Sequence, residues 1–153
     1  MIEDAFKEWA VIVDALGEGR QSLILRKGGI RDPRGLFRPG RAEFFLLPTF
    51  EHQNTADIIP SEAGRLTGPA SAHPPEGEVE LRFCARITDL HRVTDRAAVR
   101  RLAPFHVWSE TALEKRFNWG ENPGFTCWSC GFCGWNVRSG RQCCPNTAVA
   151  SRG

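Results

Sequence analysis

The alternation of apolar and polar positions predicts a sheet in the first 90 residues. Residues 9–16 and 21–28 are rich in leucine and β-branched residues and flank a glycine-containing turn, which predicts a hairpin. Residues 43–49 predict a third strand, interrupted by Pro48. Residues 78–90 predict a fourth, in which Cys84 is a structural thiol on the face opposite the buried set, namely Val79, Leu81, Phe83, Ala85 and Ile87.

Two helix signals follow the fourth strand. Thr94 and Ser109 each place a hydroxyl before a helical run with an acid in its first turn, and they are the predicted N-caps of helices within 95–105 and 110–119. Strands followed by helices are typical of the α+β class. We therefore predict a small antiparallel sheet with two short helices in the C-terminal half and a disordered or irregular tail.

The composition predicts one domain. The chain has 153 residues, of which 41% are hydrophobic and 25% charged, enough for a core of its own. We assign residues 1–124 to this α+β domain and expect 60–77, rich in proline and glycine, to be a flexible insertion. Residues 125–153 form the predicted irregular tail, rich in cysteine and tryptophan. No secretory signal and no apolar run of roughly 20 residues is present, so we expect a cytoplasmic protein without a membrane partner.

Basic residues are concentrated between positions 20 and 41. This segment carries a single acid, Asp32, against seven cations: Arg20, Arg26, Lys27, Arg31, Arg34, Arg38 and Arg41. Such a run can neutralise phosphates and predicts salt-dependent binding of DNA or RNA. A solvated loop explains the same pattern, and the sequence does not separate the two. Protein partners are not indicated.

The tail holds five of the six cysteines and raises the question of a metal. A zinc or iron-sulfur site would use Cys127, Cys130, Cys133 and Cys144. The spacing fits neither class, since the ferredoxin-type run needs its fourth cysteine sooner and a zinc ribbon needs two separate pairs. We therefore predict no metal and no other cofactor, and keep the cysteine site as an alternative.

A displaced reading frame is our leading explanation of the tail. Its 29 residues contain no Leu, Ile, Asp, Glu or Lys, which is foreign to a globular domain. Leucine and valine codons that are read one base out of register yield cysteine and tryptophan. The neighbouring frame can spell HVLVLRVLRLER, an apolar strand, which agrees better with the rest of the chain.

Residues 3–124 resemble a bacterial family of domains of unknown function. The resemblance rests on AFKEW at 5–9, LRKGGI at 25–30, PTFEHQ at 48–53, FHVWS at 105–109 and RFNW at 116–119. It implies an apolar strand after residue 124 and an ending near Y-G-G-C-x-S-W, which the neighbouring frame can also spell. Some members are linked to a restriction-endonuclease-like domain, which implies a role near DNA restriction or modification; the family's activity is not established.

The polar residues of these blocks supply the catalytic candidates, namely His52, His106, Glu51, Glu110 and Lys27. In one cleft, a histidine could shuttle protons while Lys27 and Arg116 held an anion. Structural roles explain the same residues, for example a turn at Glu51 and His52. The aromatic residues near them either stack bases or fill the core. Our leading hypothesis is a nucleic-acid-associated accessory domain, and the alternative is a small hydrolase or nuclease.

Overall fold

The computed structural model describes residues 2, 4–27, 43–67, 74–120, 122–136 and 141–142, with side chains as far as residue 131. Six strands form the sheet: β1 (Ala5–Trp9), β2 (Leu23–Arg26), β3 (Glu43–Thr49), β4 (Phe83–Val93), β5 (Phe125–Asn136) and β6 (Arg141–Gln142). Four α-helices accompany it in this part of the chain: α1 (Ala10–Gly17), α2 (Pro60–Ala63), α3 (Arg96–Arg101) and α4 (Glu110–Asn118). The predicted α+β class and the two short helices in the C-terminal half are confirmed.

The sheet is mixed rather than wholly antiparallel. Its strand order is β1-β3-β4-β5-β2, with β6 paired to β5. The β1–β3 pair is parallel, and the other pairs are antiparallel. A parallel pair needs a crossover connection, and the chain between β1 and β3 includes α1 and β2.

The predicted hairpin of residues 9–16 and 21–28 is wrong in its first half. Residues 10–17 form helix α1, and residues 10–16 are all buried. A segment that is apolar except for Asp14, which pairs with Arg82, suits a helix enclosed by a core as well as it suits a central strand. The glycine-containing turn does exist, with Gly19 in the left-handed region at φ 76°, and it leads into β2.

The segment 60–77, predicted to be a flexible insertion, begins with helical structure, and its flexibility stays a prediction. Helix α2 is followed by a 3₁₀ turn at 64–66. The carboxylate of Glu62 is buried and forms ion pairs with Arg20 and with Arg65, the latter at 3.2 Å. Residues 68–73 of the predicted insertion lie outside the described residues.

One of the two predicted helix caps is correct. Ser109 Oγ accepts a hydrogen bond from the Ala112 amide at 3.2 Å at the start of α4. At α3 the cap is Asp95 rather than Thr94, because the Asp95 carboxylate accepts from the amides of Ala97 and Ala98, each at 3.0 Å. A carboxylate with two oxygens can satisfy two exposed amides at once.

Strand β5 occupies residues that the sequence assigns to an irregular tail. It pairs with β4 along one side and with β2 along the other, and Phe125, Thr126, Cys127 and Trp128 are buried. Backbone pairing depends little on side-chain identity, and aromatic residues and cysteine suit a buried strand. The domain therefore continues past residue 124.

The core lies between α1 and the curved sheet. The rings of Phe6 and Phe44 both pack on Trp128, with centroids 5.0 and 6.0 Å away. Cys84 and Ala85 are both buried, so the predicted alternation of faces is lost at the start of β4. Val79 is exposed because β4 begins only at Phe83. Within the described residues, no helix is long and apolar enough to cross a bilayer.

Candidate nucleic-acid interface

Arg26 joins the two edge strands of the sheet. It lies at the end of β2, yet its Nη2 donates a hydrogen bond to the Lys7 carbonyl of β1 at 3.1 Å. Its Nη1 lies 3.6 Å from the buried Glu8 carboxylate, and its guanidinium is 3.9 Å from the centre of the Phe6 ring. The sheet therefore curls until one arginine side chain spans its two edges.

Arg116 of α4 lies beside Arg26, on a pair of tryptophans. Its guanidinium is 3.7 Å from the centre of the Trp108 ring and 5.7 Å from that of Trp9. Burial lowers the pKa of Arg116, and the charges of Glu8 and Asp57 oppose this shift. Within the described residues, no carboxylate lies within ion-pair distance of Arg116. This half-buried cation can therefore accept an anion from outside the domain.

Two further cations hold the turn that follows α4. Lys27 Nζ donates to the carbonyls of Phe117 and Asn122, at 2.6 and 3.0 Å. Arg92 of β4 donates to the Pro123 carbonyl at 3.2 Å. Carbonyls at a helix C-terminus carry partial negative charge, which favours cations there.

Four cations are linked in pairs and are here called the basic row: Arg116 interacts with Arg26, Arg92 interacts with Lys27, and Arg26 and Lys27 are consecutive in the chain. Burial lowers the pKa of Lys27, and the charge of Arg92 lowers it further. Burial also lowers the pKa of Arg26, where the charge of Glu8 opposes the shift and the charge of Arg116 adds to it. The closest acid is Glu8, which lies against Arg26. Neighbouring like charges repel, and a bound anion relieves that repulsion.

An exposed aromatic ring stands at the end of α4. Trp119 is 74% exposed, and its amide donates to the Arg116 carbonyl at 3.3 Å. The other aromatic candidates differ: Trp108 and Phe117 are core residues, Trp9 is half-buried, and Phe105 is exposed. Trp119 is thus a free stacking surface close to the basic row in the chain.

The predicted nucleic-acid residues divide into three groups. Arg26 and Lys27 belong to the basic row. Arg20 does not, because its guanidinium is held by Glu18 and Glu62. Arg31, Arg34, Arg38 and Arg41 lie outside the described residues, in the segment that begins directly after Lys27. Counting charges over residues 20–41 does not find Arg92, which lies elsewhere in the chain, and nothing in the sequence marks it. Arg116 and Trp119 also lie outside that range, but both belong to the RFNW block.

The five catalytic candidates do not share one cleft. His106 and Glu110 line a cavity beside α3 and α4. Glu51 is exposed, 3.5 Å from Lys7 Nζ, and lines a different groove. His52 is exposed in the left-handed region at φ 59°, where it closes a turn. Lys27 lines neither cavity and serves the basic row.

Cys127 and Cys130 of β5, the two of its cysteines whose side chains are described, do not have the geometry of a metal knuckle. Burial raises the pKa of Cys127 to about 11 and, with the nearby Cys127, raises the pKa of Cys130 to about 12. In an extended strand, residues three apart have Cα atoms about 10 Å apart, too far to share one zinc ion in a tight turn. No cluster of three metal-ligating side chains occurs among those described. The side chain of Cys133 and all of Cys144 fall outside them.

Comparisons with known proteins concern the family and the fold. The sequence model of a family described as a domain of unknown function, DUF1802, matches residues 5–130. The fold is similar to the crystal structure of ASCH from Zymomonas mobilis, with a TM-score of 0.50 and 10% sequence identity. The similarity covers 83% of this chain and 65% of that one, so this chain spans less than two thirds of its length. No curated protein matches the sequence.

Proposed function

This chain belongs to the DUF1802 family, and we propose that it is a nucleic-acid-binding accessory domain whose basic row holds the phosphates of a single strand. The supporting observation is the row itself. Arg26 lies close enough to Arg116, and Lys27 close enough to Arg92, for each pair to interact electrostatically, and Arg26 and Lys27 are consecutive in the chain. Proteins bind nucleic acid mainly through such cations, which release counterions from the phosphates.

The position of Lys27 connects the row to the arginine-rich segment. Lys27 is fixed to the turn after α4 by two hydrogen bonds, and the next residues of the chain carry Arg31, Arg34 and Arg38. The arginine-rich segment therefore begins, along the chain, directly after a cation of the row. A run of cations that continues the row in sequence adds to the positive charge available for phosphates.

The exposed ring of Trp119 favours a single strand over a duplex. Bases of a single strand are free to stack on aromatic side chains, and each stacked base contributes about 1–3 kcal/mol. In a duplex the base faces are already stacked on one another. The domain thus recognises backbone charge and base faces rather than a particular sequence.

The test is fluorescence anisotropy with a labelled uridine oligonucleotide and with a duplex DNA of the same length. We expect the single strand to bind more tightly, and the affinity to fall as salt rises. Lys27→Gln and Arg92→Gln should each weaken binding about tenfold and reduce the slope of log affinity against log salt by about 0.7. Replacing Arg31, Arg34 and Arg38 together with Gln should reduce this slope by about 2, three times the change expected for one cation.

The matched controls are Arg100→Gln and Arg101→Gln, two exposed arginines of α3 outside the row. They remove the same charge and should change affinity little. Equal weakening by row and control variants, or no binding at low salt, contradicts the proposal. Trp119→Ala should weaken the affinity for the single strand by about 5- to 150-fold and leave the affinity for the duplex unchanged.

A further inference from the structure

The cavity beside α3 and α4 is a second feature with the form of a ligand site. It has a volume of about 400 Å³, within the roughly 300–1,000 Å³ of small-molecule pockets. Its walls are mainly apolar and include Val99, Trp108, Leu113 and Phe117. It therefore suits a ligand of which most atoms are carbon.

Charged residues at this cavity are already paired. Arg96 is bound to the carboxylate of Glu114, and its Nη2 donates to Asn118 Oδ1 at 2.7 Å. Arg100 Nε lies 3.5 Å from the Glu110 carboxylate. Because each cation faces an anion, the cavity has no excess charge to offer an ionic ligand. An uncharged ligand is favoured.

His106 is the polar group in the wall whose ring nitrogens have no hydrogen bond of normal geometry within the described residues, and it is 5% exposed. Burial lowers the pKa of His106, and a polar contact with the Trp108 backbone, too poorly aligned to satisfy the ring, partly offsets this shift. The ring is therefore neutral at pH 7 and offers one donor and one acceptor. Buried polar groups without partners are rare in folded proteins and call for an explanation.

We propose that this cavity binds a small, uncharged, planar heteroaromatic molecule that packs against Trp108 and Phe117 and hydrogen-bonds to His106. The aromatic walls favour a flat ring, and the neutral imidazole favours a ligand edge with a donor or an acceptor. This site does not depend on the basic row. The two sites share Trp108, whose ring also supports Arg116, and Phe117, whose carbonyl accepts a hydrogen bond from Lys27.

The experiment titrates the full chain, labelled with ¹⁵N, with two probes of similar shape at neutral pH. Benzimidazole has one donor and one acceptor, whereas naphthalene has neither. The signals of the histidine ring nitrogens report on His106, and the other three histidines serve as internal references. We expect benzimidazole to bind with a dissociation constant on the order of 1 mM or tighter, at least about fivefold tighter than naphthalene, and to shift the His106 signals.

Two alanines give a matched pair of variants. Ala103 is exposed at the cavity wall, and Ala97 is exposed on α3 away from it. Ala103→Trp should fill the cavity and abolish binding of both probes. Ala97→Trp should leave the binding of both probes unchanged. His106→Phe keeps a ring of similar size but removes its hydrogen-bonding atoms. This variant should lose the preference for benzimidazole and still bind naphthalene.

Three results overturn the proposal: no shift of the His106 signals with benzimidazole, equal binding by the Ala103→Trp and Ala97→Trp proteins, or an unchanged preference in the His106→Phe protein. Circular dichroism of each variant verifies that the fold is retained. Should His106→Phe alone unfold, the alanine pair still decides the question.

Discussion

At the scale of single residues, His106 is the clearest conflict between a side chain and its surroundings. An apolar side chain of the same size would pack in this wall without an unsatisfied donor or acceptor. An unsatisfied buried polar group costs about 1–3 kcal/mol of stability. The residue is therefore better explained by a ligand than by stability.

This conflict predicts a pH dependence of stability. The unfolded chain binds a proton on His106 near the ordinary pKa of about 6.5, whereas burial lowers the pKa in the folded protein. Below about pH 6.5 the unfolded state binds more protons, so the free energy of unfolding falls as the pH decreases through this region. Urea denaturation between pH 5 and pH 8, roughly the range that spans the ordinary histidine pKa, measures it.

The control is the His106→Phe protein. It should show a weaker pH dependence over the same range, since the other three histidines are common to both proteins. At neutral pH it should be equally stable or more stable by up to about 1 kcal/mol. A pH dependence identical in the two proteins contradicts the assignment.

At the scale of elements, the ends of helices decide where two of the functional segments lie. Asp95 starts α3 and thereby fixes one wall of the cavity, while Ser109 starts α4, whose C-terminus carries Arg116 and Trp119. Lys27 and Arg92 then fix the turn after α4. Two cations of the basic row, Lys27 and Arg92, are thus positioned by the carbonyls at and after the end of α4.

The cap of α3 gives a second prediction about stability. Asp95→Ala leaves two amides of the first turn unsatisfied and should lower the free energy of unfolding by about 1 kcal/mol. Thr94→Ala is the matched control, because Thr94 is exposed and its side chain makes no cap bond. Urea denaturation of the two proteins distinguishes them. A larger decrease in the free energy of unfolding for Thr94→Ala than for Asp95→Ala would favour Thr94, the cap predicted from the sequence.

At the scale of the whole molecule, β5 decides whether the sheet is complete. It lies between β4 and β2, so that its removal would separate β2 from the rest of the sheet. Trp128 is 0% exposed and meets Phe6 of β1 and Phe44 of β3. The family match extends to residue 130, which includes the first half of this strand.

A comparison of two tryptophans tests this role of β5. Trp128→Ala should destabilise the protein by about 3–5 kcal/mol, because it leaves a large cavity among buried rings. Trp119→Ala removes the same side chain from an exposed position and should change stability by less than about 0.5 kcal/mol. Thermal unfolding measures both. A small effect of Trp128→Ala would contradict the role of β5 in the core and would favour the irregular tail predicted from the sequence.

The displaced reading frame stays a prediction, which the nucleotide sequence of codons 120–153 decides. The Thr126 hydroxyl of β5 is fully buried and has no partner among the described residues, whichever frame the gene uses.

The sequence by itself determined the α+β class, the third strand and the two C-terminal helices, because local periodicity and turn residues encode such elements. It also gave the family, through short blocks that include Lys27 and Arg116. It did not determine whether residues 10–17 are a helix or a strand, since an apolar run is buried equally well as either. That depends on what surrounds the segment.

Only the tertiary structure decided which residues act together. Arg26, Lys27, Arg92 and Arg116 come from three elements far apart in the chain, and they meet because the sheet curls and α4 ends beside β2. Arg20 belongs to the same sequence run but is neutralised by Glu62, a contact between distant segments. Charge counting along a chain cannot detect such pairing, because electrostatic interaction depends on distance in space and on burial.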